Sequence, residues 1–88
     1  MEHQSHPEII KRLKRANGHL SSVITMMENS RPCVDLAQQL HAVERAITNA
    51  KRHLIQDHID HCLEDVAGTD AGSSRTALKE FRQLAKYL

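Results

Sequence analysis

Aromatic residues are almost missing from this 88-residue chain, which has no tryptophan, one phenylalanine and one tyrosine. Phe81 and Tyr87 leave any core to Leu, Ile, Val, Ala and Met, and a chain this short buries only a modest core. Oligomerisation is a common remedy. An excess of one charge is lacking too. Twelve Lys and Arg against eleven Asp and Glu give a formal net charge of +1, so any nucleic-acid site must come from local patches. No stretch approaches ~18 apolar residues, and the start, MEHQSHPEII, has no signal-type apolar segment. The expectation is a soluble, cytoplasmic protein forming a single domain over residues 1–88, with a flexible segment at 1–6. With only two cysteines and a reducing compartment, thiolate chemistry or simple burial is favoured over a structural disulfide.

Three glycines and two prolines leave room for long helices. Pro7 suits a first helical turn. From there Ile9, Leu13, Ala16, Leu20, Val23 and Met27 alternate spacings of four and three, an a/d stripe. Gly18 within it costs about 1 kcal/mol against Ala, or permits close helix approach. Glu28 to Pro32 reads as a short break. Leu36, Leu40, Val43, Ile47, Ala50 and Leu54 then form a second stripe that continues to His58 and Cys62, predicting a helix over 32–66. A helix of that length without a breaker implies an exposed seam awaiting a partner. Ala67 to Ser73 reads as a loop. Ser73 or Ser74 then caps a last helix carrying Ala77, Leu78, Phe81, Leu84, Ala85 and Leu88. The fold class is all-α: three helices, the first two paired as a hairpin around a long central helix.

Cys33, His58 and Cys62 carry the chemistry. His58 and Cys62, four residues apart, share one helix face and can grip one ion. Cys33 precedes His58 by 25 positions, roughly 37 Å on one helix at 1.5 Å per residue. Two copies packed antiparallel would bring Cys33 of one beside the pair of the other, so the spacing suggests a metal site across a dimer interface. Simple burial is the competing reading for Cys33, and a partly buried helix end is the one for His58 and Cys62. Thiolate and imidazole suit Cu(I), Ni(II), Co(II) or Zn(II) and argue against Mg or Ca. Two thiolates and one imidazole make a trigonal Cu(I) site, and a fourth ligand would tilt the choice to a divalent ion. His3 or His6, on the N-terminal segment, is the candidate fourth ligand. His61 lies about 100° from Cys62 around the helix and reads as a surface or supporting residue. His19, His41 and His53 read as surface or interface histidines.

Lys11, Arg12, Lys14 and Arg15 form the one dense basic run, with Arg45, Lys51 and Arg52 on the long helix. Such a run is usually a solvated face, but duplicated in a symmetric oligomer it becomes a surface that could follow phosphates.

RLKRANGHL in the first helix, Cys33, QQLHAVERAI and DHIDHC resemble the CsoR/RcnR family of metal-sensing transcriptional repressors, from about Arg12 to the C-terminus. The Cys-x24-His-x3-Cys spacing is specific to it. The resemblance implies an antiparallel dimer of helical hairpins that pairs into a disc-shaped tetramer, binds operator DNA without metal and releases it on metal binding, derepressing an efflux gene. It implies Cys33, His58 and Cys62 as ligands shared between subunits, and Arg12, Lys14 and Arg52 as DNA contacts. It also implies Glu80 as a carboxylate supporting the metal ligands. Asn17 departs from an Arg common before the glycine, and Pro32 replaces a tyrosine of some copper sensors. With His3 or His6 as fourth ligand, the expectation favours Ni(II) or Co(II) over Cu(I), with formaldehyde sensing as a smaller alternative. A metal buffer or chaperone without DNA binding is the rival class, and an inert helical dimerisation module is another. No nucleophile–base–orienter set points to an enzyme.

Overall fold

The computed structural model describes residues 5–66 and 71–88, and the side chains of these apart from residues 62, 63, 65, 66 and 71–73. Three helices follow in order: α1 (His6–Glu28), α2 (Cys33–Val66) and α3 (Ala71–Ala85). Pro7 sits in the first turn of α1, where its missing N–H goes unused, and Ile9 N donates to Ser5 O at 3.0 Å. The α1 C-terminus closes through Asn29 N to Thr25 O and Arg31 N to Met26 O. Ser30 takes the left-handed backbone conformation that ends many helices, at φ 56°. Pro32 O then accepts from Leu36 N and α2 runs unbroken for 34 residues.

The boundaries of the last helix differ from expectation. The loop assigned to Ala67–Ser73 is shorter at its far end, because α3 already begins at Ala71 and Ser73 and Ser74 lie inside its first turn. Ala71 is the strongest helix former, and Gly72 is tolerated where the first N–H groups have no intrahelical partner anyway. Residues 67–70 lie outside the described residues. Leu88 falls beyond α3, in a closing turn where Tyr87 N donates to Leu84 O, and it is exposed.

α1 and α3 each pack on α2 and, among the described residues, make no contact with each other. The dimensions are 59 × 23 × 13 Å. Since one helix with its side chains is about 10–12 Å across, the chain is a single layer of helices. A single layer has no enclosed interior, and this explains how the stripes divide. Ile9, Ala16 and Val23 of α1, Val43, Ala50 and Ile55 of α2 and Ala77 of α3 are the buried apolar residues. The alternate members of the same stripes, Leu13, Leu20 and Met27 on α1 and Leu40, Ile47 and Leu54 on α2, are exposed. Ile10 and Ile24 extend the open apolar surface of α1. No described helix is long and apolar enough to cross a membrane.

Candidate functional site

Helix α2 sets the geometry, because its ends carry the candidate ligands. Cys33 is its first residue and an exposed free thiol, flanked by an exposed Arg31–Asp35 ion pair at 3.5 Å. His58 lies 25 residues on in the same helix, about 37 Å away by helical rise. Cys62 follows one turn later in α2, its side chain outside the described residues. Among the described residues no three His, Cys, Asp or Glu side chains gather to hold an ion. One chain keeps Cys33 and His58 apart.

His58 is the most elaborated position. Its Nε2 lies 3.2 Å from Glu80 Oε2 on α3, so the packing of α3 on α2 brings together two residues 22 positions apart. An ionised carboxylate can only accept, so Nε2 is the donor. In the neutral imidazole that assigns the ring lone pair to Nδ1, the atom able to bind a metal. The two residues line a groove of about 260 Å³ with Gln83, Leu84 and Tyr87. His61 is half-buried, its ring centroid 6.5 Å from that of His58 and inclined by 61°. The donor types fit a thiophilic ion, with one sulfur at one end of α2 and an oriented imidazole near the other.

The candidate fourth ligands fall differently. His3 lies outside the described residues. His6 is not part of a flexible tail: it is the first residue of α1 and half-buried, because the helix starts one residue before Pro7. Its reach is therefore limited to that of a side chain on a fixed backbone.

The basic run divides. Arg12 and Arg15 line a cleft of about 460 Å³ between α1 and α2 with Glu8, His19 and Asn49. Arg12 Nε is 3.9 Å from Glu8 Oε1. Lys11 and Lys14 are exposed outside that cleft, and Arg52 is exposed on α2. His19 is more than a surface histidine: its Nε2 meets Gln39 Oε1 at 2.6 Å, tying α1 to α2 at the cleft's side. The positions 8, 12, 15 and 19 share one helix face at spacings of four and three, so the sequence held the signal for His19. Asn49 carried none.

A model of metal-sensitive transcriptional repressors matches residues 5–87. The copper-sensing transcriptional repressor CsoR of Bacillus subtilis is 36% identical, covering 98% of this chain and 86% of that protein. The protein of the same name from Mycobacterium ulcerans is 33% identical over 89% of this chain, which spans 65% of that longer relative. Among solved structures, the nickel-responsive transcriptional regulator InrS superposes with a TM-score of 0.84 at 28% identity, covering 100% of this chain and 98% of that one.

Proposed function

The chain belongs to the family of metal-sensitive transcriptional repressors, and from that premise we propose that it is a copper(I)-responsive repressor of an operator, acting as a symmetric assembly. One observation carries the reading: Cys33 opens one unbroken 34-residue helix and His58 stands 25 residues further along it. The donor set is complete only when Cys33 of one subunit meets His58 and Cys62 of the partner subunit. The exposed alternate stripe, Leu13, Leu20 and Met27 with Leu40, Ile47 and Leu54, supplies the apolar surface for that antiparallel pairing. A family of transcriptional regulators, not of enzymes, frames the reading.

Two thiolates and one imidazole match Cu(I) coordination, and the two CsoR relatives named above are copper-sensing repressors. The expectation of Ni(II) or Co(II) rested on His3 or His6 as a fourth ligand, and the helical placement of His6 weakens it. Nickel stays as the second reading because the nickel-responsive InrS shares the fold over the whole chain. Nothing observed favours cobalt or formaldehyde.

Glu80 holds the proton-bearing Nε2 of His58, which orients the ring and presents Nδ1. Arg12 and Arg15 line the cleft that faces phosphate, while Lys11, Lys14 and Arg52 add charge around it. Bound copper would tie the start of one long helix to the end of another. If that arrangement fits DNA less well than the metal-free one, DNA affinity falls by a coupling of about 1–3 kcal/mol, and metal affinity falls by the same factor on DNA.

The test is anaerobic DNA binding to the duplex upstream of the chain's own coding sequence, with no metal, with Cu(I) and with Ni(II). We expect tight metal-free binding, weakened roughly 5- to 150-fold by Cu(I) and left unchanged by Ni(II). Release by Ni(II) alone would replace copper with nickel. Metal binding without any DNA binding would make the chain a metal buffer.

A further inference from the structure

A second concentration of positive charge lies on α3 and the turn that closes it, outside the dense run of α1. Arg75, Lys79, Arg82 and Lys86 follow one another at spacings of four, three and four. At 100° per residue the three within α3 fall within about 60° of one another around the helix, Lys86 follows in the closing turn, and all four are exposed. Ala77, Phe81 and Leu84, which are buried or half-buried, occupy the opposite side, where α3 packs on α2. The basic side chains, with Leu78 and Gln83, line a shallow groove of about 510 Å³.

Charge bookkeeping sets this helix apart. Residues 71–88 hold those four cations and a single acid, Glu80, a net +3 within a chain whose total is +1. That acid faces His58 instead. The cations at 75 and 79, 79 and 82, and 82 and 86 are therefore like-charged neighbours at i,i+3 or i,i+4, an arrangement that destabilises a helix. No carboxylate along α3 is placed at those spacings to offset it.

We propose that this stripe is a second phosphate-contacting face, which takes the backbone of duplex DNA in addition to the cleft lined by Arg12 and Arg15. The inference rests on the repressor reading. The stripe extends over about 16 Å of helix, the axial length of roughly five phosphates on one strand. Arg and Lys in a row grip phosphates without reading bases, which suits a face that has no amide side chain except Gln83. An acidic membrane is the poorer occupant, because a surface-lying amphipathic helix needs its apolar side for the lipid and α2 already covers that side.

Because backbone contacts are independent of sequence, a mixed-sequence duplex of about 30 base pairs at low salt is a sufficient probe. The metal-free full chain is compared with R75Q/K79Q/R82Q/K86Q, R75K/R82K and R12Q/R15Q by anisotropy across about 50–200 mM salt. Each lost phosphate contact lowers the slope of log Kobs against log salt by about 0.9. We expect the quadruple variant to lose at least two units of slope and about tenfold or more in affinity at 50 mM salt. The Arg-to-Lys variant should keep the slope. Glutamine is a good helix former and relieves the repulsion, so the quadruple variant should melt no lower than the parent. An unchanged slope in the quadruple variant, beside a reduced one in R12Q/R15Q, overturns the α3 proposal and leaves the repressor reading standing. A parent chain that does not bind the duplex at low salt overturns both. Loss of binding to phosphatidylserine vesicles with unaltered duplex binding would reassign the stripe to membranes and overturn the proposal.

Discussion

Mixing two defective chains tests the shared metal site most directly. In Cys33→Ser the pair at His58 and Cys62 is intact, and in a His58→Ala/Cys62→Ser chain only Cys33 is left. The separation along α2, about 37 Å, is far beyond a metal–sulfur bond of about 2.3 Å, so neither chain alone can form a complete site. An antiparallel pair is two-fold symmetric and has two equivalent sites. In a mixed pair one site then has all three donors and the other has none. Random re-association of equal amounts makes half the pairs mixed, so capacity should return to about a quarter of the parent's. The assay is anaerobic Cu(I) titration against a chromophoric chelator, before and after the chains are exchanged under mild denaturant. Absence of recovery on mixing would refute the shared site. So would parent-like tight binding by Cys33→Ser alone, because it would place all the ligands within one subunit's end of α2.

Glu80→Ala removes the acceptor that holds His58 Nε2, and loss of such a supporting contact weakens metal binding about 10- to 100-fold. An unaltered affinity in chelator competition would show that the contact does not orient the ligand. Ile47→Glu places a charge on an exposed member of the α2 stripe; sedimentation should show a smaller species, and an unaltered mass would remove that face from the subunit interface. Gly18→Ala should stabilise α1 by about 1 kcal/mol, a rise in Tm of roughly 4–8 °C, because a Cβ there meets nothing within 4 Å. A fall in Tm would mean that another subunit's backbone approaches at Gly18.

The helices were legible in the sequence because two stripes with regular spacing, punctuated by Pro7 and the Glu28–Pro32 break, leave few alternatives. The division of each stripe into buried and exposed members was not. Ile9 and Leu13 look alike in a one-dimensional pattern, and only the single-layer packing decides that the first is covered and the second left open. The distance between Cys33 and His58 followed from helical rise alone once α2 was continuous. The meeting of His58 with Glu80 did not follow from spacing, since it depends on how α3 packs on α2; only the family resemblance pointed to Glu80. The stripe of α3 was present in the sequence but spread over twelve positions, so contiguous Lys11–Arg15 drew attention instead.

Net charge conceals how this chain is arranged. By helix, α1 holds four cations and two acids, α2 three cations and six acids, and α3 three cations and one acid, with Lys86 just past its end. Four of the α2 acids, Asp57, Asp60, Glu64 and Asp65, surround His58 and Cys62 in sequence, at the end where the helix dipole is also negative. That end favours a cation while the flanking helices favour an anion. Charge alone, however, would not account for the proposed release of DNA. A metal ion entering a site with two thiols displaces their protons, so the net change is about one unit for Cu(I). Beyond a screening length of about 8 Å such a change is largely lost. On the proposed mechanism, release would therefore come from rearrangement of packed helices, and one substitution separates the two explanations. Gln56→Glu, exposed and beside Asp60, adds a single negative charge two residues from His58 without adding a metal. Metal-free DNA affinity should then fall less than about twofold, against the 5- to 150-fold expected of the metal. A variant that reproduced the metal's effect in the DNA-binding assay would make electrostatic repulsion, rather than geometry, the cause of release.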